Sequence, residues 1–533
     1  MHLGVIITGS LAEGFTMRIA PEALSRVKIG KFVTIVTAQA RYCALLTDIS
    51  LHSTSPDIAI YPPTPHENLL KKTLKIRDLY ATALVKPVLV LENKQQAPRP
   101  VKTIPDHFSP VFEATADDIS QIFGAESDLN HPYFNIGVPL DMTTPVCVNL
   151  ERLTERSSGI FGKTGTGKTF ITRLTLAGLI TRDTASVLIF DMHSEYGLHA
   201  RQEGSHNSFV RGLKSLFPDK VLLCSLDPQA TRRRGVTPDI TITIPYNSIT
   251  IDDIMALQEE LSLHTTALEA AYLIGAKYKQ EWLKALLESG SHLKEFAHAI
   301  GAHPESIAAL YRKLSRISEL PFVDINNSSP FSALDNMLEN IAQGKSIIIE
   351  FGNFTSVFCY LLVANIITRK IHHEYVNRTE KFLGSQKACD TPRKLIITIE
   401  EAHKFLNPAA ARQTIFGTIA REMRKYYVSL LIVDQRPSGI DTEIMSQIGT
   451  KIVAQLHDER DINSVLTGVA NTAGLKALLA TLDSKQQAVI LGHAVPMPVL
   501  IQTRLYNEQF YRDIGKYTLD STTITQLSTE IYQ

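Results

Sequence analysis

Hydrophobic and polar positions follow two different rhythms along this chain. Over residues 1–95, short β-branched runs at 4–10, 30–36 and 42–49 are separated by glycines and charges. Such runs predict strands, and their punctuation suits a small β-barrel that closes its own edges. Residues 96–134 begin in a Pro-, Lys- and Gln-rich stretch and predict a linker. From 135 to 505, nearly unbroken apolar runs at 157–161, 187–190, 346–351, 395–399, 428–433 and 451–456 alternate with helical stretches. Uninterrupted runs suit strands covered on both faces. Their alternation with helices predicts an α/β domain with a mainly parallel sheet. A Leu-, Ala-, Lys- and Glu-rich stretch at about 251–330 breaks that rhythm and predicts an all-helical insertion. Residues 506–533 are polar, a tail that either packs on a neighbouring subunit or frays.

Composition narrows the picture. The 533 residues suffice for several domains. Hydrophobic residues at 44% and charged residues at 20% exclude an intrinsically disordered chain. Lys+Arg and Asp+Glu are 54 each, so nucleic-acid binding must rest on local basic surface. Cys43, Cys147, Cys224, Cys359 and Cys389 form no CxxC pair, which argues against disulfides and a Cys-rich zinc site and suits a reducing cytoplasm. The first residues lack a basic segment before an apolar run, so no signal peptide is expected. The apolar stretch 357–368 is too short to span a bilayer and predicts a buried helix.

The sharpest chemical signal is Gly162-Lys163-Thr164-Gly165-Thr166-Gly167-Lys168-Thr169, which fits G-x-x-x-x-G-K-[ST]. It follows the apolar Gly159-Ile160-Phe161 and precedes a helical stretch starting at Phe170. Glycines let backbone N–H groups wrap a phosphate, and the helix N-terminus adds positive potential. Lys168 is expected to reach the β- and γ-phosphates of ATP, and Thr169 to place its hydroxyl on Mg²⁺. A second strand, 395–399, ends in Glu400 and Glu401. Glu400 would hold the Mg²⁺ shell through water, and Glu401 would orient the attacking water. The bland alternative is two solvated acids opening a helix. A third strand, 428–433, ends at Asp434-Gln435-Arg436-Pro437, where Gln435 is the candidate γ-phosphate sensor and a turn residue is the alternative. Arg421 and Arg424 share a helical spacing that puts them on one face. That face is either solvated or carries an arginine finger for a neighbouring nucleotide.

Taken together, these segments resemble the HerA family of hexameric DNA-translocating ATPases, within the FtsK–HerA group of RecA-like motors. Asp191-Met192-His193-Ser194-Glu195-Tyr196, Glu400-Glu401-Ala402-His403 and Arg421-Glu422-Met423-Arg424-Lys425-Tyr426 match family segments in order. Met192, Ser194 and Met423 depart from the family pattern, two of them replacing glycine. The resemblance implies a RecA-like P-loop core preceded by an N-terminal barrel of the HerA and ATP-synthase type. It implies Arg424 as the trans-acting finger and Arg156 as a second residue serving a neighbour's site. It also implies a ring, most simply a hexamer, on double-stranded DNA, with a NurA-type nuclease or a sirtuin-like effector docked on the barrel and no membrane. DNA end processing and antiviral defence are the processes implied. Loop 407–413 with Arg412, and Arg232-Arg233-Arg234, are candidate DNA contacts. An ATP-dependent assembly scaffold with little DNA motion is the alternative, and a motor for protein or membrane cargo is a weaker one.

Overall fold

The computed structural model describes residues 1–64, 66–91, 98–128, 130–201, 209–324, 332–469, 472–480, 482–483 and 486–518. It divides into two compact units. One holds Met1–Leu153, Gly162–Gly167 and Thr450–Leu505; the other holds Thr154–Phe161, Lys168–Gly449 and Tyr506–Gln533.

In the first unit, His2–Ser10, Gly14–Ile19, Phe32–Val36, Arg41–Ser53, Leu79–Leu91 and Pro110–Glu113 form an antiparallel barrel. Closure comes where Gly14–Ile19 pairs with Leu79–Leu91, Phe15 facing Val85. Alternate residues point inward and bury Leu3, Ile6, Met17, Val33, Ile35, Leu46, Val85 and Val111 in one core. The strand Pro110–Glu113 lies inside the stretch expected to be a linker. It bridges His2–Ser10 and Phe32–Val36, so the ring needs it. Four residues are too few to display a period of two, which hid this strand in the sequence. Helix Ala116–Phe123 follows, opened by a capping box between Thr115 and Asp118. A separate antiparallel set in this unit comprises Thr450–Val453, Gln487–Gly492, Val499–Thr503, Tyr133–Pro139 and Val146–Asn149. The run at 451–456, expected beside parallel strands, thus pairs antiparallel with Gln487–Gly492.

The second unit is built on a parallel sheet. Its strands run in the order Ile240–Thr241, Val221–Ser225, Ser346–Glu350, Ser186–Asp191, Leu395–Glu400, Val428–Asp434 and Ser158–Phe161. Ile347, Ile348, Ile349, Leu188, Ile397 and Ile432 are all fully buried. Burying each such side chain stabilises the fold by about 1.5–3 kcal/mol, which explains the lack of polar alternation. Helix Val357–Ser385 contains the apolar stretch noted above and starts on Ser356, whose hydroxyl accepts the Cys359 N–H at 3.2 Å. Among the described residues no helix is long and apolar enough to cross a membrane.

The insertion is helical as expected, from Ile251–Met255 to Pro304–Ser318. Trp282 anchors it, buried, with its indole N–H on the Ile249 carbonyl at 2.9 Å. Asp253 ties it to the long helix, accepting Nε–H and Nη2–H of Arg369 (2.9 and 2.7 Å) and the Asn365 amide (2.8 Å). A fully buried carboxylate requires such forked, charge-assisted partners.

Four neighbouring strands of this sheet each end in an acid: Glu350, Asp191, Glu400 and Asp434. Asp191 sits opposite Glu350, Glu400 opposite Val433, and Asp434 opposite Phe161. The acids therefore form a row along the carboxyl edge, the edge where open α/β sheets bind ligands.

Candidate active site

Strand Ser158–Phe161 leads by chain continuity into the glycine-rich loop, and helix Lys168–Thr181 leaves it. Within the loop, the Thr166 hydroxyl donates to the Lys163 carbonyl at 2.6 Å, and the Lys163 N–H donates to the Gln455 carbonyl at 3.0 Å. Gly165 and Gly167 adopt φ of +82° and +91°. A Cβ at either would meet open space, so backbone conformation, not crowding, calls for glycine there.

In the second unit, the hydroxyl of Thr169 donates to Glu195 Oε2 at 3.0 Å. Glu195 is presented by a turn that Asp191 holds. The buried Asp191 carboxylate accepts the N–H groups of Glu195 (2.8 Å), Tyr196 (2.8 Å) and Gly197 (3.1 Å). Burial pushes the Asp191 carboxyl up, and those three donors pull it back. Ser194, where the family pattern has glycine, takes φ +56°. The turn is thus kept without glycine, at a cost of about 1–2 kcal/mol.

Glu400 accepts the Tyr196 hydroxyl at 2.6 Å, and its backbone N–H and C=O both bond the Tyr360 hydroxyl at 3.2 Å. Burial pushes the Glu400 carboxyl up to about 8; the Tyr196 bond opposes that, and Asp191, Glu195 and Glu401 add to it. Tyr196 itself is pushed well above its ordinary range by burial and by the Glu400 charge, so it remains a proton donor.

Glu401, the next residue, has φ +50°, the left-handed region that non-glycine residues avoid. Its carboxylate accepts the Gln435 amide at 3.1 Å. His403 stands on its other side, with Nε2 3.8 Å from Glu401 Oε2. The His403 backbone N–H donates to the buried Asp434 carboxylate at 2.6 Å, and its Nδ1 lies 3.0 Å from the same group. The structure therefore joins Thr169, Glu195, Tyr196 and Glu400 in one set, and Glu401, Gln435, His403 and Asp434 in another.

The candidate arginines diverge. Arg421 donates to the Ala411 carbonyl at 3.1 Å and pairs with Glu443 at 3.4 Å. Arg424 is exposed and pairs with no carboxylate among the described residues. The two do not share a helical face, because the helix ends at Glu422 and Met423–Tyr426 tightens into a 3₁₀ turn. Arg156 is likewise exposed, packed beside Gly449. In the basic cluster, all three arginines are exposed, and Arg234 reaches back to the buried Glu350 at 3.2 Å. The side chain of Arg412 lies outside the described residues; its backbone is in the short helix Ala410–Gln413. His193 is exposed, in the turn between Asp191 and Glu195. Phe170 lies beneath the guanidinium of Arg173, 5.6 Å from ring centre to Cζ.

Sequence reasoning left Glu195, Tyr196, His403 and Asp434 without roles. Each acts through a neighbour that is distant in sequence, so spacing alone carries no signal of the pairing.

Residues 134–371 match the family model described as "Helicase HerA, central domain". The DNA double-strand break repair helicase HerA of Sulfurisphaera tokodaii is 25% identical over 495 residues, covering 90% of this chain and 88% of that one. The protein of the same name from Pyrococcus furiosus is 22% identical over 423 residues, covering 74% of this chain and 72% of that one. Among solved structures, VirB4 of Thermoanaerobacter pseudethanolicus is 12% identical with a TM-score of 0.47, covering 70% of this chain and 96% of that one.

Proposed function

Because the chain belongs to the HerA family of ATPases, we propose that it is a ring motor that hydrolyses ATP to move double-stranded DNA. The observation that carries this reading is the Glu401–Gln435 pair at 3.1 Å, beside a row of acids and in the unit that also holds Lys168 and Thr169. Phosphoryl transfer asks a protein mainly for positioning and charge stabilisation. Lys168 neutralises the β- and γ-phosphates. Glu401 orients the attacking water, and Gln435 fixes Glu401 while sensing the γ-phosphate. Gly162, Lys163, Thr164, Gly165, Thr166, Gly167 and Phe170 complete the nucleotide cradle.

The chemistry of the donors fits Mg²⁺. Thr169 offers a hydroxyl, Glu195 and Glu400 offer carboxylates, and hard oxygen donors suit this ion, which commonly binds through one or two carboxylates and substrate phosphates. The mutual repulsion of Asp191, Glu195 and Glu400 is a second sign, since a cation relieves it. Thr169 and Glu195 would hold the ion and Glu400 its water shell; when bound, it neutralises charge on the β- and γ-oxygens.

Arg424, exposed and pairing with no carboxylate among the described residues, serves a neighbouring subunit's γ-phosphate, with Arg156 as the second candidate. The assembly is a hexamer with DNA in its channel, gripped at phosphates by loop 407–413 and by Arg232 and Arg233. A NurA-type nuclease or a sirtuin-like effector docks on the N-terminal barrel, for DNA end processing or antiviral defence.

The test is steady-state ATPase with and without duplex DNA, for wild type and Lys168→Ala. Turnover that rises with DNA and vanishes in Lys168→Ala supports the motor. Turnover indifferent to DNA, with nucleotide-dependent assembly, favours the scaffold. Unchanged turnover in Lys168→Ala overturns the site.

A further inference from the structure

We propose that His403 is the positioning residue of Glu401: an imidazole ring clamped by Asp434 that holds the Glu401 carboxylate aimed at the attacking water. The inference rests on the reading of Glu401 given above and adds to it a residue and a pH dependence.

The geometry is a three-member array. Asp434 closes the Val428–Asp434 strand and is buried. Its carboxylate accepts three donors: the His403 N–H at 2.6 Å, the Arg436 N–H at 2.7 Å and the His403 ring at Nδ1. Those bonds fix both the backbone and the ring plane of His403. With Nδ1 committed to Asp434, Nε2 is the free end, and it faces Glu401 Oε2 at 3.8 Å. That separation is a charge–charge contact and too long for a hydrogen bond. Its strength therefore depends on whether the imidazole carries its second proton.

Glu401 needs such help. At φ +50° its backbone is strained, and one amide, that of Gln435, bonds its carboxylate. Strain at a functional position persists when the surroundings over-determine it. His403 supplies the second restraint, its positive charge drawing the Glu401 carboxylate toward Nε2.

The hydrogen bond to Asp434 raises the affinity of His403 for its proton; burial opposes it, the charges of Asp434 and Glu401 add to it, and Lys404 subtracts. The ring is not sealed away. A cavity of about 510 Å³ opens on it, lined among others by Glu259, Glu260, Lys404 and Arg436, and lets the proton exchange with solvent. The imidazolium thus persists above the ordinary histidine range and is lost as pH rises further. Turnover should fall with it, because the charge acts on the water-orienting group and not on nucleotide binding.

The experiment is the pH dependence of kcat and KM for ATP, from about pH 6 to 9, on the full chain with duplex DNA. Wild type, His403→Asn and Asp434→Asn are compared, with Lys168→Ala as the control. Asparagine at 403 keeps a donor for Asp434 but carries no charge. Wild type should lose kcat on the alkaline side. His403→Asn should show kcat lower by about tenfold below that limb, no limb, and an unchanged KM, since losing a close charge pair is worth at least about one decade. Asp434→Asn should move the limb to lower pH by about one unit, since an opposite charge nearby typically shifts a group by that much or more. This second variant keeps the test alive if His403→Asn misfolds.

The proposal is overturned if His403→Asn keeps both the wild-type kcat and the limb, if it lowers kcat equally at every pH with the limb intact, or if Asp434→Asn leaves the limb in place. If Lys168→Ala turns over like wild type, the site reading falls and the proposal with it. If Lys168→Ala is inactive and wild type shows no alkaline limb, the His403 assignment alone fails.

Discussion

The Thr169 hydroxyl donates to the Glu195 carboxylate across 3.0 Å, joining the last residue of the phosphate-loop motif to the turn after the Asp191 strand. Removing that carboxylate leaves the hydroxyl without its orienting partner. Glu195→Ala should raise the Mg²⁺ concentration for half-maximal ATPase by about 10- to 100-fold, the usual loss when a metal site's support is removed. A Mg²⁺ titration at saturating ATP measures it.

Glu400 gives a stability prediction with a definite sign. Its carboxyl is pushed from an ordinary 4.5 to about 8, so the folded chain holds that proton more tightly than the unfolded chain. The resulting stabilisation is full below about 4.5 and is lost as pH rises through about 8. Glu400→Gln keeps an acceptor for Tyr196 and never ionises. Its thermal midpoint should exceed that of wild type above pH 8 and match it near pH 5, by thermal melts at both values without Mg²⁺.

Arg424 separates action in trans from action within a subunit. Arg424→Ala should lower kcat by about 10³-fold or more, as removing an arginine finger does, while the thermal midpoint stays put because its side chain is exposed. Mixing Arg424→Ala with Lys168→Ala subunits should restore part of the activity, since some interfaces then pair an intact Lys168 with an intact arginine. ATPase against mixing ratio decides it.

Arg234 and Arg232 are neighbours with opposite consequences. Arg234→Ala strips the fully buried Glu350 of its cation, at a cost of about 2–3 kcal/mol, below the usual range because the Arg234 side chain is one-third exposed. The loss should shrink in acid, because burial already lifts Glu350 to about 6 and protonation then removes the stranded charge. Arg232→Ala should leave the urea midpoint unchanged and weaken DNA binding in a salt-dependent way. Urea melts at two pH values, with a filter-binding titration, test both.

The parts legible in the sequence were those written locally. The loop from Gly162 to Thr169, the strand ending at Glu400 and Glu401, and the strand leading to Gln435 each sit where an apolar run stops, and each occupies the expected strand end. The pairings that complete the site depend on which strand lies beside which. Tyr196 meets Glu400 because the Asp191 and Glu400 strands are adjacent, and His403 meets Asp434 because the Glu400 and Asp434 strands are. No spacing rule encodes that adjacency. For the same reason Arg234 looked like open basic surface until the fold brought Glu350 to it. The barrel strand Pro110–Glu113 was hidden differently, by brevity and by its proline-rich surroundings.

Arg173 sits almost wholly buried between the rings of Phe170 and Tyr506, its guanidinium on the Glu195 carbonyl. Tyr506 in turn donates to the Arg211 carbonyl at 2.9 Å. A nascent chain can therefore fold its barrel early, yet the turn bearing Glu195 lacks its last brace until the ribosome has released residue 506. During synthesis, the guanidinium of Arg173 stays open to water until Tyr506 closes over it.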